Sequence, residues 1–492
     1  MNHLWDYLLQ SMLGITSLWV TLLHLLVVGV FAIQLLLVRR PVAVAFAWLF
    51  IVATLPLIGI LLFFMIGERP VGRKLRRKIT RMEEHYAQIT QAMRERYEGD
   101  RQFMPQEAKA LSLLIEANNG TPAVAGNRVT LHTNSLGILQ AMIEDIQNAK
   151  KSLHLEFYIW AVGGQADRVC EALIGAAERG VACRVLLDSL GSKDWFKSDW
   201  PAKFRAAGIE LTEALPIQLG RFQFRRADLR LHRKIFVIDG AVVWTGSMNL
   251  VDPRTFKQSA GVGEWVDAMV RVEGPIASQF ELTFLFDWSV DNTAITEFSD
   301  PEPLGSPDEG HVLAQCCASG PVYRDDILYQ MLLSTIMDAR EELTITTPYF
   351  GPDEGLIQAL IAAARRGVTV TLIVPKQNDS TLVALSSRSF YGDLMDGGVN
   401  IAEFHGGLLH TKSMLVDRRI AVFGSVNLDQ RSLRLNFEIS LIVYNETFCA
   451  NLQKLIESYL QQSNLVNPVS WAKRSRWHLI LENVVQLMSP LL

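Results

Sequence analysis

The sequence predicts an α/β fold built twice, preceded by an N-terminal two-helix transmembrane hairpin. Three observations predict it. Two long apolar runs fill most of the first 66 residues, a strand–helix–strand pattern occurs in two places, and a His-x-Lys motif recurs with its surroundings 178 residues on, at His232 and His410.

The apolar runs come first. From Ser17 to Val38 the only polar interruptions are Thr21, His24 and Gln34, about the ~20 residues an apolar helix needs to cross a bilayer. Arg39, Arg40 and Pro41 break the run, and a second stretch from Val42 to Ile66 contains Pro56 and Gly59. The start carries Asp6 and no Lys or Arg, which disfavours a signal peptide. Trp19 and Trp48 are interface or packing aromatics. Two basic residues lie in the turn (Arg39, Arg40) and seven follow the second run (Arg69, Arg73, Lys74, Arg76, Arg77, Lys78, Arg81). That asymmetry predicts a multi-pass membrane protein with its main body in the cytoplasm. The N-terminus lacks the basic residues this orientation favours, so a shallow hairpin within one leaflet is the alternative. The basic run should also lie against anionic headgroups, each charge worth about 1 kcal/mol.

The rest of the chain divides in order. Residues 1–68 are the hairpin, 69–117 a basic helical connector, 118–297 the first α/β domain, 298–470 the second, and 471–492 an amphipathic C-terminal segment. In the first domain a β-rich run from Leu153 to Trp160 precedes an Ala/Leu-rich helix ending at Gly180 and a strand from Val181 to Leu187. In the second, Leu343 to Phe350, a helix ending at Gly367 and Val368 to Val374 repeat the pattern. Each is a βαβ unit with a glycine C-cap. The polar stretch from Asp291 to Gly310 reads as the linker between halves.

Composition excludes several classes. A net charge of −4 is not that of a dedicated nucleic-acid binder. Cys170, Cys183, Cys316, Cys317 and Cys449 show no zinc-ligand spacing and read as buried thiols. There is no P-loop and no carboxylate cluster suited to a divalent metal, so no cofactor and no metal are expected. Oligomeric state is left open.

The motif carries the chemistry. His232, Lys234, Asp239, Gly246, Ser247 and Asn249 recur as His410, Lys412, Asp417, Gly424, Ser425 and Asn427. Residues i and i+2 of a strand share a face, so each histidine projects with its lysine, while Arg233 and Thr411 point away. Lysine charge with serine and asparagine hydrogen bonds suits a phosphate. Two such half-sites face to face supply two imidazoles, one to attack phosphorus and one to protonate the leaving alkoxide. A nucleophilic imidazole needs an acceptor on its other nitrogen. Asp267, opening the run to Val272, is expected to orient the first histidine, with Glu264 as the alternative. Glu438, opening the run to Val443, is expected to orient the second. Asp239 and Asp417 are catalytic candidates that equally suit a turn, and Ser247, Asn249, Ser425 and Asn427 are expected to bind substrate.

HxKxxxxD followed by GSxxN, twice, resembles the phospholipase D superfamily over roughly Asn118 to Ser463. The resemblance implies two phospholipase D-like α/β sandwich domains with pseudo-twofold symmetry and one active site between them. It implies His232 as nucleophile and His410 as acid/base. With the hairpin, the segment from Val251 to Asp267 and the C-terminal Ser489-Pro-Leu-Leu492, the chain resembles bacterial cardiolipin synthases within that superfamily. The resemblance implies transfer of a phosphatidyl group between two phosphatidylglycerol molecules, with glycerol released through a phosphohistidine. The expected partners are phosphatidylglycerol and other anionic phospholipids in a membrane, with no nucleic acid. A phospholipase D-type hydrolase, or a synthase using another phospholipid pair, shares the motifs. A nuclease shares them too but fits neither the hairpin nor the charge, and intact motifs argue against a non-catalytic scaffold. The segment from Arg221 to Arg226, with Leu229 and Arg230, and the segment from Trp471 through Met488 are candidate membrane-facing surfaces.

Overall fold

The structure, a computed structural model, describes residues 2–37, 42–66, 73–216, 228–292, 312–321, 323 and 326–487. The described chain forms two units, the helices of 2–66 and a body built from 73–216 and 229–487. Arg39, Arg40, Arg69, the segment 221–226, most of the 291–310 linker and Met488 lie outside the described residues.

In the N-terminal unit, α1 spans Asn2–Leu37, α2 Val42–Thr54 and α3 Pro56–Ile66. Leu18–Leu37 of α1 is long and apolar enough to cross a membrane, with a mean hydropathy of 2.5, and its leucines point largely outward. Lipid, not protein, is the medium that satisfies such a surface. The second apolar run is not the single helix expected. Pro56 has no N–H to give and disfavours helix in the residue before it, so the run divides at Leu55 into two shorter helices. These pack on α1 through Phe31, Leu35, Val52 and Phe63, and the Phe63 ring stands edge-on to Phe31 (4.7 Å) and Trp48 (5.2 Å). Trp48 is therefore a packing aromatic, whereas Trp19 is exposed.

The body opens with α4, Arg73–Arg96. Its first half then contributes strands β1 (Val124–His132), β2 (Ser152–Phe157), β3 (Ala182–Asp188), β4 (Glu210–Ala214), β5 (Arg230–Leu231), β6 (Lys234–Ile238), β7 (Val242–Gly246), β8 (Trp265–Val266) and β9 (Met269–Glu273). The second contributes β10 (Val312–Ser319), β11 (Glu342–Thr346), β12 (Phe350–Gly351), β13 (Thr369–Pro375), β14 (Asn400–Phe404), β15 (Leu408–Leu409), β16 (Ser413–Val416), β17 (Ile420–Gly424), β18 (Leu428–Asp429), β19 (Asn436–Tyr444) and β20 (Ser463–Leu465).

The two halves share one sheet, joined where β1 and β10 pair antiparallel. Outward from that seam the order is β1, β9, β7, β6, β2, β3, β4 on one side and β10, β19, β17, β16, β11, β13, β14 on the other, where β20 is added. Pairings are antiparallel out to β2 or β11 and parallel from there to β4 or β14, with the added β20 antiparallel to β14. This is the order a twofold axis through the seam generates. The parallel pairs β2–β3 and β11–β13 are the βαβ units, crossed by helices Gln165–Glu178 and Glu354–Arg365. Gly180 (φ 90°) and Gly367 (φ 97°) follow those helices in the left-handed region that ends them. After β9 and after β19 comes a helix laid on the sheet, Ile276–Asp291 and Glu446–Gln461, each packing into the core that runs through the seam.

Candidate active site

The two histidines sit just before β6 and β16, and the short strands that deliver them pair across the halves. β5 runs parallel to β19, with Leu231 opposite Phe437, and the His232 N–H donates to the Phe437 carbonyl (2.9 Å). β15 runs parallel to β8, with Leu409 opposite Val266, and the His410 N–H donates to the Val266 carbonyl (2.9 Å). The next residue along each partner strand is a buried carboxylate. His232 Nδ1 lies 2.9 Å from both Glu438 oxygens, and His410 Nδ1 lies 2.6 Å from Asp267 Oδ1.

The carboxylates expected from the sequence are thus the ones present, but their pairing is crossed. Each histidine is held by the opposite half, not its own. The cause is the strand pairing, which joins residues 206 positions apart at His232 and 143 apart at His410. The carboxylates also fall off the 178-residue offset of the motifs, so the repeat gave no register for them. Glu264 has an exposed side chain, and its backbone carbonyl accepts from Leu408.

An ionised carboxylate only accepts, so Nδ1 of each ring carries the proton and Nε2 keeps its lone pair. Burial pushes both imidazoles down to about 4, against the pull of Glu438 on His232 and of Asp267 on His410. Both rings are neutral at pH 7. Burial also raises the carboxylates, yet the histidines and lysines outweigh it and hold both below their ordinary range.

The serines have partners other than the expected substrate. Ser247 Oγ donates to Asp267 (2.6 Å) and accepts from Ala268 N–H (3.1 Å). Ser425 Oγ donates to Glu438 and accepts from Ile439 N–H (3.0 Å). Both hydroxyls are fully buried and already engaged, so they anchor carboxylates. Each half's serine fixes the carboxylate that the other half's histidine uses. Asn436 Nδ2, which the sequence reading missed, adds a third bond to Glu438 (3.1 Å).

The lysines and asparagines face the site differently. Lys234 and Lys412 donate to the carbonyls of His232 and His410 (2.6 and 2.7 Å). Burial pushes them down to about 7 and about 8, opposed by Glu438 and Asp267. Each lysine also acts electrostatically on the other half's histidine, as convergence requires. Asn249 Oδ1 accepts from Ile159 N–H (3.2 Å), whereas Asn427 Oδ1 is buried without a hydrogen-bond partner among the described residues and its side chain lines a pocket with His232. That pocket, about 150 Å³, also meets Tyr158, Tyr349, Asp429 and Arg431. It is below the ~300–1,000 Å³ of sites that enclose a drug-sized ligand, so it has room for a headgroup and not for acyl chains.

Asp239 and Asp417 are corrected more sharply. Each ends its strand in the left-handed region (φ 53° and 49°). The Asp239 carboxylate accepts from the backbone N–H groups of Lys150, Lys151 and Ser152, and that of Asp417 from Arg340, Glu341 and Glu342. β6 separates Asp239 from Lys234 by about 16 Å at ~3.3 Å per residue. Both aspartates tie down the start of a neighbouring strand, β2 or β11, and neither is at the phosphate position.

Aromatic walls and a buried arginine complete what the sequence reading missed. Tyr158 stands edge-on to His232 (5.1 Å), and Trp265 lies against His410 (4.3 Å). Arg233 does point away from the site, as its strand position implies. It pairs with buried Asp287 and donates to the carbonyls of Glu438 (3.1 Å) and Ser319 (2.9 Å). Among the described residues no three His, Cys, Asp or Glu side chains are arranged to hold a metal ion.

Two neutral, carboxylate-held imidazoles with two lysines, brought together by a duplicated sheet, are the arrangement expected of a phosphodiester-transfer site of the phospholipase D type. The family model described as "Cardiolipin synthase, PLD-like domain" matches residues 142–288 and 332–460. A cardiolipin synthase A of Edwardsiella ictaluri (strain 93-146) is 42% identical over 491 residues, 99% of each chain. Another, of Erwinia tasmaniensis, is 42% identical over 489 residues, again 99% of each. The phosphatidylserine synthase of Haemophilus influenzae Rd KW20 superposes with a TM-score of 0.61 over 79% of this chain and 100% of its own; at 16% identity this shows a common fold. The chain belongs to the cardiolipin synthase family, a family of phosphatidyltransferases.

Proposed function

We propose that this protein joins two phosphatidylglycerol molecules into cardiolipin and releases glycerol, with His232 as nucleophile and His410 as acid and base. The crossed pair of carboxylate-held imidazoles supports this reading. His232 Nε2 attacks phosphorus, and the P–O bond to the donor's glycerol breaks. His410 gives that oxygen a proton. His410 then takes the proton from a hydroxyl of the second phosphatidylglycerol, whose oxygen attacks phosphorus as the N–P bond breaks. One phosphodiester is lost and one formed, and His232 is restored. Because His410 is neutral in the empty site, the arriving phosphodiester anion must favour its protonation. Lys234, Lys412 and the Asn427 amide bind the non-bridging oxygens. Water must be kept from the phosphohistidine, or phosphatidic acid results.

Purified protein given radiolabelled phosphatidylglycerol should yield cardiolipin and glycerol in equal amounts. Phosphatidic acid without cardiolipin would instead mark a hydrolase.

The lysines set a pH signature. In the empty site they are charged below about 7 and about 8 and lose that charge above. The histidines, neutral well below this range, do not change through it. kcat/KM should therefore fall as pH rises from 7 to 9, while kcat falls less, because a bound phosphate anion raises both lysine pKa values. A kcat/KM that climbs over that interval would remove the lysines from phosphate binding.

In the membrane, α1 crosses, the α2–α3 segment returns, and the body lies on the cytoplasmic side. The apolar length of α1 and the Lys/Arg asymmetry support this. A cysteine placed at Arg40 should react with an impermeant thiol reagent from the periplasmic face of intact cells. Labelling only after the cells are opened would favour the one-leaflet hairpin.

A further inference from the structure

We propose that the C-terminal helix Arg476–Gln486 lies on the lipid surface through an outward apolar stripe and holds the mouth of the His232 pocket at the headgroup layer. Trp477, Ile480, Leu481, Val484 and Leu487 are 78%, 52%, 49%, 53% and 83% exposed. Their spacing places them on one face of the helix. The opposite face buries Glu482 and Val485, and both Glu482 carboxylate oxygens accept from Arg474 Nη1 (2.8 and 2.9 Å). This helix turns a carboxylate inward beside Val485 and leaves Trp477, Ile480, Leu481, Val484 and Leu487 outward, unlike an ordinary surface helix. Lys473 and Arg476 are exposed at its start.

The occupant follows from what adjoins the stripe. The helix packs on Thr381–Ser389, whose Val383 and Ser386 line the pocket beside His232 and whose Leu382 is exposed. One helix thus joins the apolar stripe to the catalytic opening. The pocket leaves acyl chains outside, so the surface around its mouth must meet the layer those chains occupy. Basic residues beside an apolar face with tryptophan match an anionic phospholipid surface, and a protein partner has no such reason to sit at this opening. The choice of lipid over protein rests on the phosphatidyl-transfer reading; the contact itself is measurable without turnover.

The test uses the full chain in vesicles of phosphatidylcholine and phosphatidylglycerol. All five native cysteines are buried, so an Ile480→Cys variant can carry one environment-sensitive fluorophore. Asn483→Cys, exposed on the flank of the same helix, is the control. The Ile480 probe should shift to the blue and be quenched by lipids spin-labelled near the headgroup several-fold more than the Asn483 probe. Equal quenching at both positions would overturn the proposal. So would self-quenching at Ile480 that vanishes on dilution with unlabelled protein, which would mark a second copy as the occupant. As an independent arm, Ile480→Asp with Val484→Asp should lower cardiolipin formation from bilayers on the order of tenfold and leave turnover of dispersed short-chain phosphatidylglycerol unchanged. Parallel loss on both substrates would overturn it. If the protein turned over no lipid at all, the transfer reading would fail while the fluorescence still decided the docking.

Discussion

Replacing His232 by alanine is expected to stop cardiolipin synthesis before any phosphorus reaches the protein, and replacing His410 is expected to stop it at the proton transfers. Each substitution is expected to cost at least about 10³-fold in turnover, since general acid–base catalysis alone contributes ~10²–10⁴-fold and the loss of a nucleophile removes the whole path. The two losses become distinguishable with a donor whose leaving group needs no proton, such as a phosphatidyl nitrophenol. His410→Ala should then release nitrophenol in a single burst and carry the label as a phosphohistidine, stable to alkali and lost in acid. His232→Ala should give neither burst nor label. The opposite pattern would make His410 the nucleophile. Wild-type rates in either variant would end the two-histidine mechanism. The geometry alone does not choose between the rings, because both have Nδ1 held by a carboxylate, both are buried, and both are pushed down to about 4. What separates them is the pocket, which opens on His232, while Trp265 covers part of His410.

What the sequence revealed was whatever is local or repeated. The βαβ units were readable because strand and helix periods alternate over a few residues and Gly180 and Gly367 mark where each helix ends. The half-sites were readable because six residues recur at one offset, so His232, Lys234, His410 and Lys412 stand where the motif puts them. The hidden features are set by contacts between distant segments. β5, β8 and β15 are two residues each, too short to signal that β5 pairs with β19 and β15 with β8, yet these pairings decide which carboxylate meets which histidine. Ser247 and Ser425 lie in the motif and so invite a substrate role, but their hydroxyls are taken by carboxylates thirteen or twenty residues further on. Asp239 and Asp417 look catalytic for the same reason. Only the fold shows that a strand's length lies between them and the lysines. In the second apolar run, hydropathy reads straight through Leu55, whereas the missing N–H of Pro56 divides the helix.

The crossed wiring is the strongest consequence of the fold, and it makes a prediction that own-half wiring contradicts. Glu438→Gln should behave as His232→Ala does, and Asp267→Asn as His410→Ala. A glutamine at position 438 can donate to Nδ1 of His232, which moves the ring's proton to Nε2, the attacking nitrogen, and blocks attack. The cost should be about 10⁴-fold, as when the carboxylate behind a catalytic histidine becomes an amide. With the activated donor, Glu438→Gln should therefore give no phosphohistidine. Asp267→Asn should still label His232 and fail only where His410 must move a proton. Had each carboxylate served its own half, the two variants would exchange behaviours. The double variant Glu438→Gln with His232→Ala should be no slower than His232→Ala alone, because both changes disable one unit. The serines extend the same logic. Ser425 lies close in sequence to Glu438, but it acts through that carboxylate on His232 in the other half, so Ser425→Ala should slow labelling of His232 and spare the function of His410. The chain thus cannot build either half-site from one half alone: each supplies a histidine and lysine to its own strand end, and a serine and carboxylate to its partner's.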